Sequence, residues 1–268
     1  MEVHIFDVEH GDCALVLLPS GESIMIDCGH NSSTGWRPSQ WTLDNLSGSI
    51  TNLTVTNPDE DHVSDLPNLY KFCEIKSLRI NWNIDANWIR RAKALSGIGP
   101  GIQTLINMVD SYTGAGLETN WGGVLVSRYC LSPPQFNDEN SLSVVTFLRY
   151  EGIRIVFPGD LTAEAWIALM NQPGFIPLLQ NTNIFVASHH GREDGYCREL
   201  FNVCKPSIII ISDKGIIHET QKVNYSQHAV GIVWNETEER KVLTTRADGK
   251  LKIESRPNYG FYVTAYGT

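Results

Sequence analysis

Four side chains able to ligate a metal, Asn57, Asp59, Asp61 and His62, crowd the stretch Asn57-Pro58-Asp59-Glu60-Asp61-His62, directly after Leu53-Thr54-Val55-Thr56. Positions 57, 59 and 61 alternate and can converge on one point, and His62 at a helix start closes from the other side. Crowding that many acidic and polar groups costs free energy that a cation offsets. Two downstream stretches carry the same signature. Ile153-Arg154-Ile155-Val156-Phe157-Pro158-Gly159-Asp160 is an apolar run ending in a carboxylate, and Asn183-Ile184-Phe185-Val186-Ala187-Ser188-His189-His190-Gly191 ends in two histidines. Three strand ends that each deliver an Asp or His are how a metal centre is assembled along one edge of a sheet.

The elements that must position these residues follow from the pattern. Residues 2–8, 13–19 and 23–28 read as an antiparallel meander, turning at Glu9-His10-Gly11-Asp12 and Pro19-Ser20-Gly21-Glu22. A helix is expected over 61–71 and a strand over 77–82. The second half repeats this logic: a hairpin of 141–149 and 152–157 around Glu151-Gly152, helix 161–171, strand 183–187, helix 194–204 and strand 207–212. Strands 240–246, 249–255 and 259–266 close the chain, with Asp248-Gly249 as a tight turn. Strands in both halves with helices between them predict an α+β fold, two mixed sheets packed face to face with helices outside, an αβ/βα four-layer sandwich. The whole chain, 1–268, is read as one domain, and the Trp-bearing stretch 82–121 as an insertion shaping a substrate cleft, with aromatic core as its alternative.

Bulk properties narrow the function classes. At 268 residues, with 42% hydrophobic and 19% charged residues, the chain can bury a sizeable core. No run approaches the roughly 18 apolar residues that a membrane helix needs. Met1 to Asp7 carries no basic region and no long apolar run, so no signal peptide is expected and a cytoplasmic location is. Six cysteines without a CxxC pair read as small buried hydrophobes. A net charge of −9 disfavours indiscriminate nucleic-acid binding through a broad basic face. Arg90, Arg91 and Lys93 form the densest basic cluster, and it reads as a solvated face.

Taken in order, these segments resemble the metallo-β-lactamase-fold hydrolases, and more narrowly the soluble hydrolase domain of ComEC-type competence proteins. The resemblance rests on the Gly-Asp turn within Phe6-Asp7-Val8-Glu9-His10-Gly11-Asp12-Cys13-Ala14, on Asp27-Cys28-Gly29, and on the metal loop Asn57 to His62 with Ser64-Asp65-Leu66 after it. It continues with Asn140-Ser141-Leu142, Asp160 in Phe157-Pro158-Gly159-Asp160-Leu161, Ser188-His189-His190-Gly191 and Thr245-Arg246-Ala247-Asp248-Gly249. The motifs span nearly the whole chain. Two departures stand out: Asn57 and Asp59 occupy positions where the family pattern has histidines, and no histidine lies between 62 and 160.

The resemblance implies one or two divalent ions, with Mn²⁺ or Zn²⁺ expected and Mg²⁺ as a further option. Asn57, Asp59 and a shared Asp160 would form an oxygen-rich first site; Asp61, His62, Asp160 and His189 would form a complete second one. It implies a metal-activated hydroxide oriented by Asp61 and directed at a phosphodiester. His190 is expected to be a catalytic or substrate contact, and Lys214 and Tyr225 to face the rim, where one contacts the scissile phosphate or protonates the leaving group. Asp12, Asp27 and Asn140 are expected to support the ligands, Asp27 by accepting a hydrogen bond from a ligand histidine. The expected function is a phosphodiesterase or nuclease acting on nucleic acid, with control by a regulatory protein and no membrane partner. The alternatives are a small-molecule ester or phosphoester hydrolase, and a metal-deficient sensing or scaffold module.

Overall fold

Ile208–Ile211 is a strand of four isoleucines with no accessible surface, which only a strand covered on both faces can contain. It lies in a six-stranded sheet of order Val242–Thr244, Ile208–Ile211, Ile184–Val186, Ile153–Phe157, Val145–Tyr150, Leu125–Tyr129. The first four strands are mutually parallel and the last two join antiparallel. A seven-stranded sheet has the order Gly260–Tyr266, Lys250–Arg256, Glu2–Ile5, Ala14–Leu17, Ser23–Ile26, Asn52–Thr54, Leu78–Arg79. Its first five strands are antiparallel and the last two parallel. The computed structural model describes residues 1–111, 121–213, 220–234, 236–256 and 260–266.

Alternation along the strands sorts the core into three layers. Val3, Ile5, Val16, Ile24 and Ile26 of the seven-stranded sheet pack against Ile153, Ile155, Ile184, Ile208 and Ile210 of the other, so the two sheets face each other. Leu15, Met25 and Leu53 point the opposite way, into a second core with Leu66, Leu69, Ile89, Ile102, Leu105 and Ile106 from three helices. Val156, Phe185, Ile209 and Ile211 do likewise in the other sheet, against Trp166, Leu169, Phe175 and Leu179. Helix, sheet, sheet, helix is the four-layer order expected from the strand and helix pattern.

Several local expectations are corrected. The helix expected over 61–71 is two: Glu60–Val63 and Leu66–Phe72. Pro67 cannot continue a preceding turn but suits the first turn of a new helix. Of helix 194–204 only the 3₁₀ turn Glu199–Asn202 forms. Asp248-Gly249 is not a hairpin turn, because the strands flanking it belong to different sheets. The one-turn helix Thr245–Asp248 instead carries the chain across, its Asp248 carboxylate accepting from the Thr244 N–H at 2.8 Å and from Arg240 at 2.9 Å. Within 82–121 the helices are Ala86–Ala92 and Pro100–Ser111; residues 112–120 lie outside the described set. Trp88 and Trp121 pack against core clusters, and Trp82 is exposed. Among the described residues no helix is long and apolar enough to cross a membrane.

Candidate metal centre

The loop after Asn52–Thr54 is seated from below by two glycines. A Cβ built on Gly11 or on Gly29 would come within 2.5 Å of the Asp61 carbonyl oxygen, so only glycine lets both turns close on this loop. Backbone bonds complete the seat: the Cys28 N–H donates to the His62 carbonyl at 2.8 Å and the Asp65 N–H to that of Cys28 at 3.0 Å. Asp59 caps the one-turn helix Glu60–Val63 through the Glu60 N–H at 2.9 Å. Thus the Gly-Asp and Asp-x-Gly motifs act by fixing where Asp61 and His62 sit.

Asp27 follows strand Ser23–Ile26 in a left-handed conformation, with φ of 56°. That geometry turns its buried carboxylate toward three donors: the Thr56 N–H at 2.7 Å, the Thr56 hydroxyl at 2.5 Å and His62 Nδ1 at 2.9 Å. A histidine whose Nδ1–H is held by a carboxylate presents Nε2 with its lone pair outward, the arrangement that orients metal-bound imidazoles. His62 Nε2 is buried without a hydrogen bond, 3.2 Å from Asp160 Oδ2. Asp27→Asn is expected to weaken divalent-ion affinity about 10- to 100-fold, read by competition with a chelating dye; unchanged affinity would exclude this role.

His190 completes the cluster. Its Nε2 lies 3.5 Å from Asp61 Oδ2 and 3.5 Å from Asp160 Oδ1, and neither ring nitrogen has a hydrogen bond. His189, expected as the ligand, is already engaged: Arg192 donates to its Nε2 at 3.1 Å and Asp194 lies 2.9 Å from Nδ1. Both histidines are left-handed, with φ of 46° and 52°, a conformation that costs roughly 1–2 kcal/mol per residue. The strained turn aims the two adjacent rings differently.

The remaining residues divide clearly. Asn57 is fully buried, its amide donating to Asn140 Oδ1 at 2.8 Å and to Asp160 Oδ2 at 3.3 Å. Asp59 points away from the cluster to Lys93, 3.2 Å off. Asp12 offers an oxygen within 4.8 Å of ligand atoms of Asp27 and His62. Tyr225, expected at the rim, is 1% exposed and stacks edge-on with Tyr196 and Phe201 in the outer core; a phenol so enclosed has no path to substrate. Lys214 lies outside the described residues. His10 and Arg192 went unrecognised in the sequence: His10 Nε2 stands 3.7 Å from Asp61, and Arg192 contacts it at 2.5 Å. Their only sequence signal was adjacency to the Gly-Asp turn and to the His-His-Gly motif.

Electrostatics fit a cation. Burial works against the charged form of Asp61, yet His62 and His190 hold its carboxyl down at about 2, and the same two rings depress Asp160. Burial opposes protonation of His190 as well, but Asp160 and Asp61 lift it to about 9. A histidine raised in the folded state contributes stability fully below its unfolded value near 6.5 and loses it as pH rises through 9. The melting temperature of metal-free protein is therefore expected to fall between pH 6.5 and 9, checked by thermal melts in EDTA; a flat profile would contradict the pairing. Two imidazole nitrogens and one carboxylate oxygen, His62 Nε2, His190 Nε2 and Asp160 Oδ1, are buried without hydrogen bonds and form a donor set suited to a divalent ion.

No protein-family profile matches the sequence, and no curated protein matches it either. Solved structures do. A metallo-hydrolase from Ignicoccus hospitalis, Igni18, superposes with a TM-score of 0.51 at 13% identity, covering 96% of this chain and all of that one. YhfI from Bacillus subtilis, described as a metallo-β-lactamase fold protein, gives 0.50 at 9% identity over 92% of this chain and 98% of its own. Likeness at that identity speaks to architecture, and it agrees with the four layers. The chain has the metallo-β-lactamase fold.

Proposed function

We propose that this chain is a metal-dependent hydrolase of phosphodiesters, a nuclease of ComEC-like type. The observation that carries the reading is the convergence of His62 Nε2, His190 Nε2 and Asp160 Oδ1, buried and without hydrogen bonds, beside the half-open Asp61. His62, His190, Asp160 and Asp61 would hold the ion. A divalent ion supplies an acidified water and polarises a phosphoryl oxygen. With two imidazoles in the set, Zn²⁺ or Mn²⁺ suits it better than Mg²⁺, which prefers oxygen.

The chain's own residues do the rest. The Asp61 side chain, 27% exposed, sits between the buried cluster and solvent, placed to orient the attacking water. Arg192, contacting both His10 and His189, puts a fixed positive charge beside two histidines next to the cluster, which suits binding of an anionic ester. Asp27 and Thr56 keep the His62 ring from turning. Control by a partner protein is part of the proposal only as an extension to be tested by co-purification.

A second reading has specific support. The net charge of −9 favours a small anionic ester over a long polyanion. Supercoiled plasmid and bis(p-nitrophenyl) phosphate, each assayed with Mn²⁺ and with Zn²⁺, separate the two. Plasmid cleavage lost in EDTA and reduced roughly 10²- to 10⁴-fold in Asp61→Ala supports the nuclease. Turnover of the small ester alone supports the alternative. Metal binding without turnover of either would favour a sensing module.

A further inference from the structure

Glu60 stands directly before Asp61 and His62, yet its carboxylate is not among the groups gathered at the cluster. It reaches instead to the start of helix Pro100–Ser111, accepting from the Gly101 N–H at 2.8 Å and the Ile102 N–H at 3.1 Å. The first turn of a helix leaves its N–H groups without partners inside the helix, and a carboxylate there also meets the positive end of the dipole. Pro100 has no N–H to satisfy, so the two Glu60 oxygens serve the next two donors. The glycines at this helix start make room for the contact. A Cβ on Gly99 would collide with the Glu60 carboxylate, and one on Gly101 with the Val63 carbonyl oxygen. Helix Pro100–Ser111 therefore meets both ends of the four-residue turn Glu60–Val63, and Asp61 and His62 are the residues between those ends. Asp59 adds a second hold from the same insertion: it lies 3.2 Å from the ammonium of Lys93, which is buried just past helix Ala86–Ala92.

We propose that Glu60 is a positioning residue whose carboxylate ties the ligand-bearing turn to helix Pro100–Ser111, so that ion binding and the docking of that helix strengthen each other. The inference rests on the metal-centre reading above, with Asp61 and His62 as ligands, and deepens it. A single helical turn has little stability of its own, because nucleation fixes several residues for one hydrogen bond. What it packs against sets its geometry. Gly11 and Gly29 seat the Asp61 carbonyl, Cys28 holds that of His62, and Glu60 holds the start of the turn. Without the Glu60 carboxylate two helix N–H groups lose their partner and one end of the turn is released. Asp61 and His62 then no longer meet the ion in one arrangement. Linkage makes the effect reciprocal: an ion that fixes the turn favours the docked helix by the same factor.

Ion affinity, read by competition with a chelating dye, and amide hydrogen exchange test this without any substrate. Glu60→Ala is expected to bind Zn²⁺ or Mn²⁺ about tenfold more weakly, within the roughly 5- to 150-fold range of coupled sites. Glu60→Gln, which keeps one acceptor oxygen, is expected to fall between wild type and Glu60→Ala. Thr104→Ala removes a hydroxyl bond to the Pro100 carbonyl in the same helical turn and is expected to bind as wild type does. In the wild type, the ion should slow exchange in helix Pro100–Ser111 more than in strand Lys250–Arg256, and that extra protection should vanish in Glu60→Ala. A cap that only stabilises the helix would lower the melting temperature of Glu60→Ala and leave both ion readouts unchanged, which would overturn the proposal. An equal loss of affinity in Thr104→Ala would overturn it too. Should Glu60→Ala not fold, the wild-type exchange decides: an ion that protects the helix no more than the strand sinks the coupling. A wild type that binds no ion removes the metal-centre reading as well, whereas ion binding at full affinity in Glu60→Ala removes this proposal alone.

Discussion

Asp160→Ala is expected to melt at the same temperature with and without added Zn²⁺ or Mn²⁺, while wild-type protein gains. The carboxylate lies within 3.2 Å of His62 and 3.5 Å of His190, so it faces both buried imidazoles. Removing it deletes a ligand from the middle of the donor set, so ion affinity should fall roughly 100-fold or more, beyond the 10- to 100-fold that outer partners supply. For the wild type, an ion at a hundred times its Kd adds about 2.7 kcal/mol, or about 5–10 °C in a domain of this size. Metal-free Asp160→Ala should also be less stable, because two histidines lose their buried partner. Asp160→Asn, which keeps the volume, controls for packing. An equal metal-induced rise in Asp160→Ala would place the ion elsewhere.

The second large effect lies in a residue with no functional group. Gly29→Ala sets a Cβ 2.5 Å from the Asp61 carbonyl oxygen and 3.1 Å from that of Asp12, both backbone atoms that cannot rotate aside. Gly29 is not among the residues of positive φ, so the cost comes from crowding and not from backbone strain. Overpacking of that kind costs about 1–3 kcal/mol, at times more. The loop must lift to relieve it, and Asp61 and His62 lift with it, so stability and ion affinity should fall together. Calorimetry paired with ion titration checks this: a variant that is less stable but binds as tightly would show that the seat and the centre are independent.

Much of the architecture was legible because strand period and position speak to each other. Ile153 to Phe157 and Ile184 to Val186 alternate their faces as the sandwich requires, and each ends at an Asp or His. The hairpin at Glu151-Gly152 forms as its turn chemistry indicates. What stayed hidden depends on tertiary partners. Lys93 follows Arg90 and Arg91 and reads as one more surface charge; its burial is set by Glu139, distant in sequence. The sequence cannot rank His189 over His190, since Arg192 and Asp194 decide which ring is occupied. Asp248-Gly249 looked like a hairpin turn because nothing local says that the chain changes sheets there. Tyr225 kept the composition of a rim residue while Phe201 and Tyr196 enclosed it.

The two sheets meet the rim separately, and this has a kinetic consequence. Asp61 and His62 hang from the sheet built on the N-terminal meander, while Asp160 and His190 hang from the other. A cation held by all four is a clasp across the sandwich, and the sheets cannot part until at least one coordination bond breaks. Ion release then becomes part of the unfolding barrier itself, so the lifetime of the native state should track the off-rate of the ion. Amide hydrogen exchange in Ser23–Ile26 and Ile153–Phe157, strands on opposite sides of the inner core, should slow in step when the ion is present.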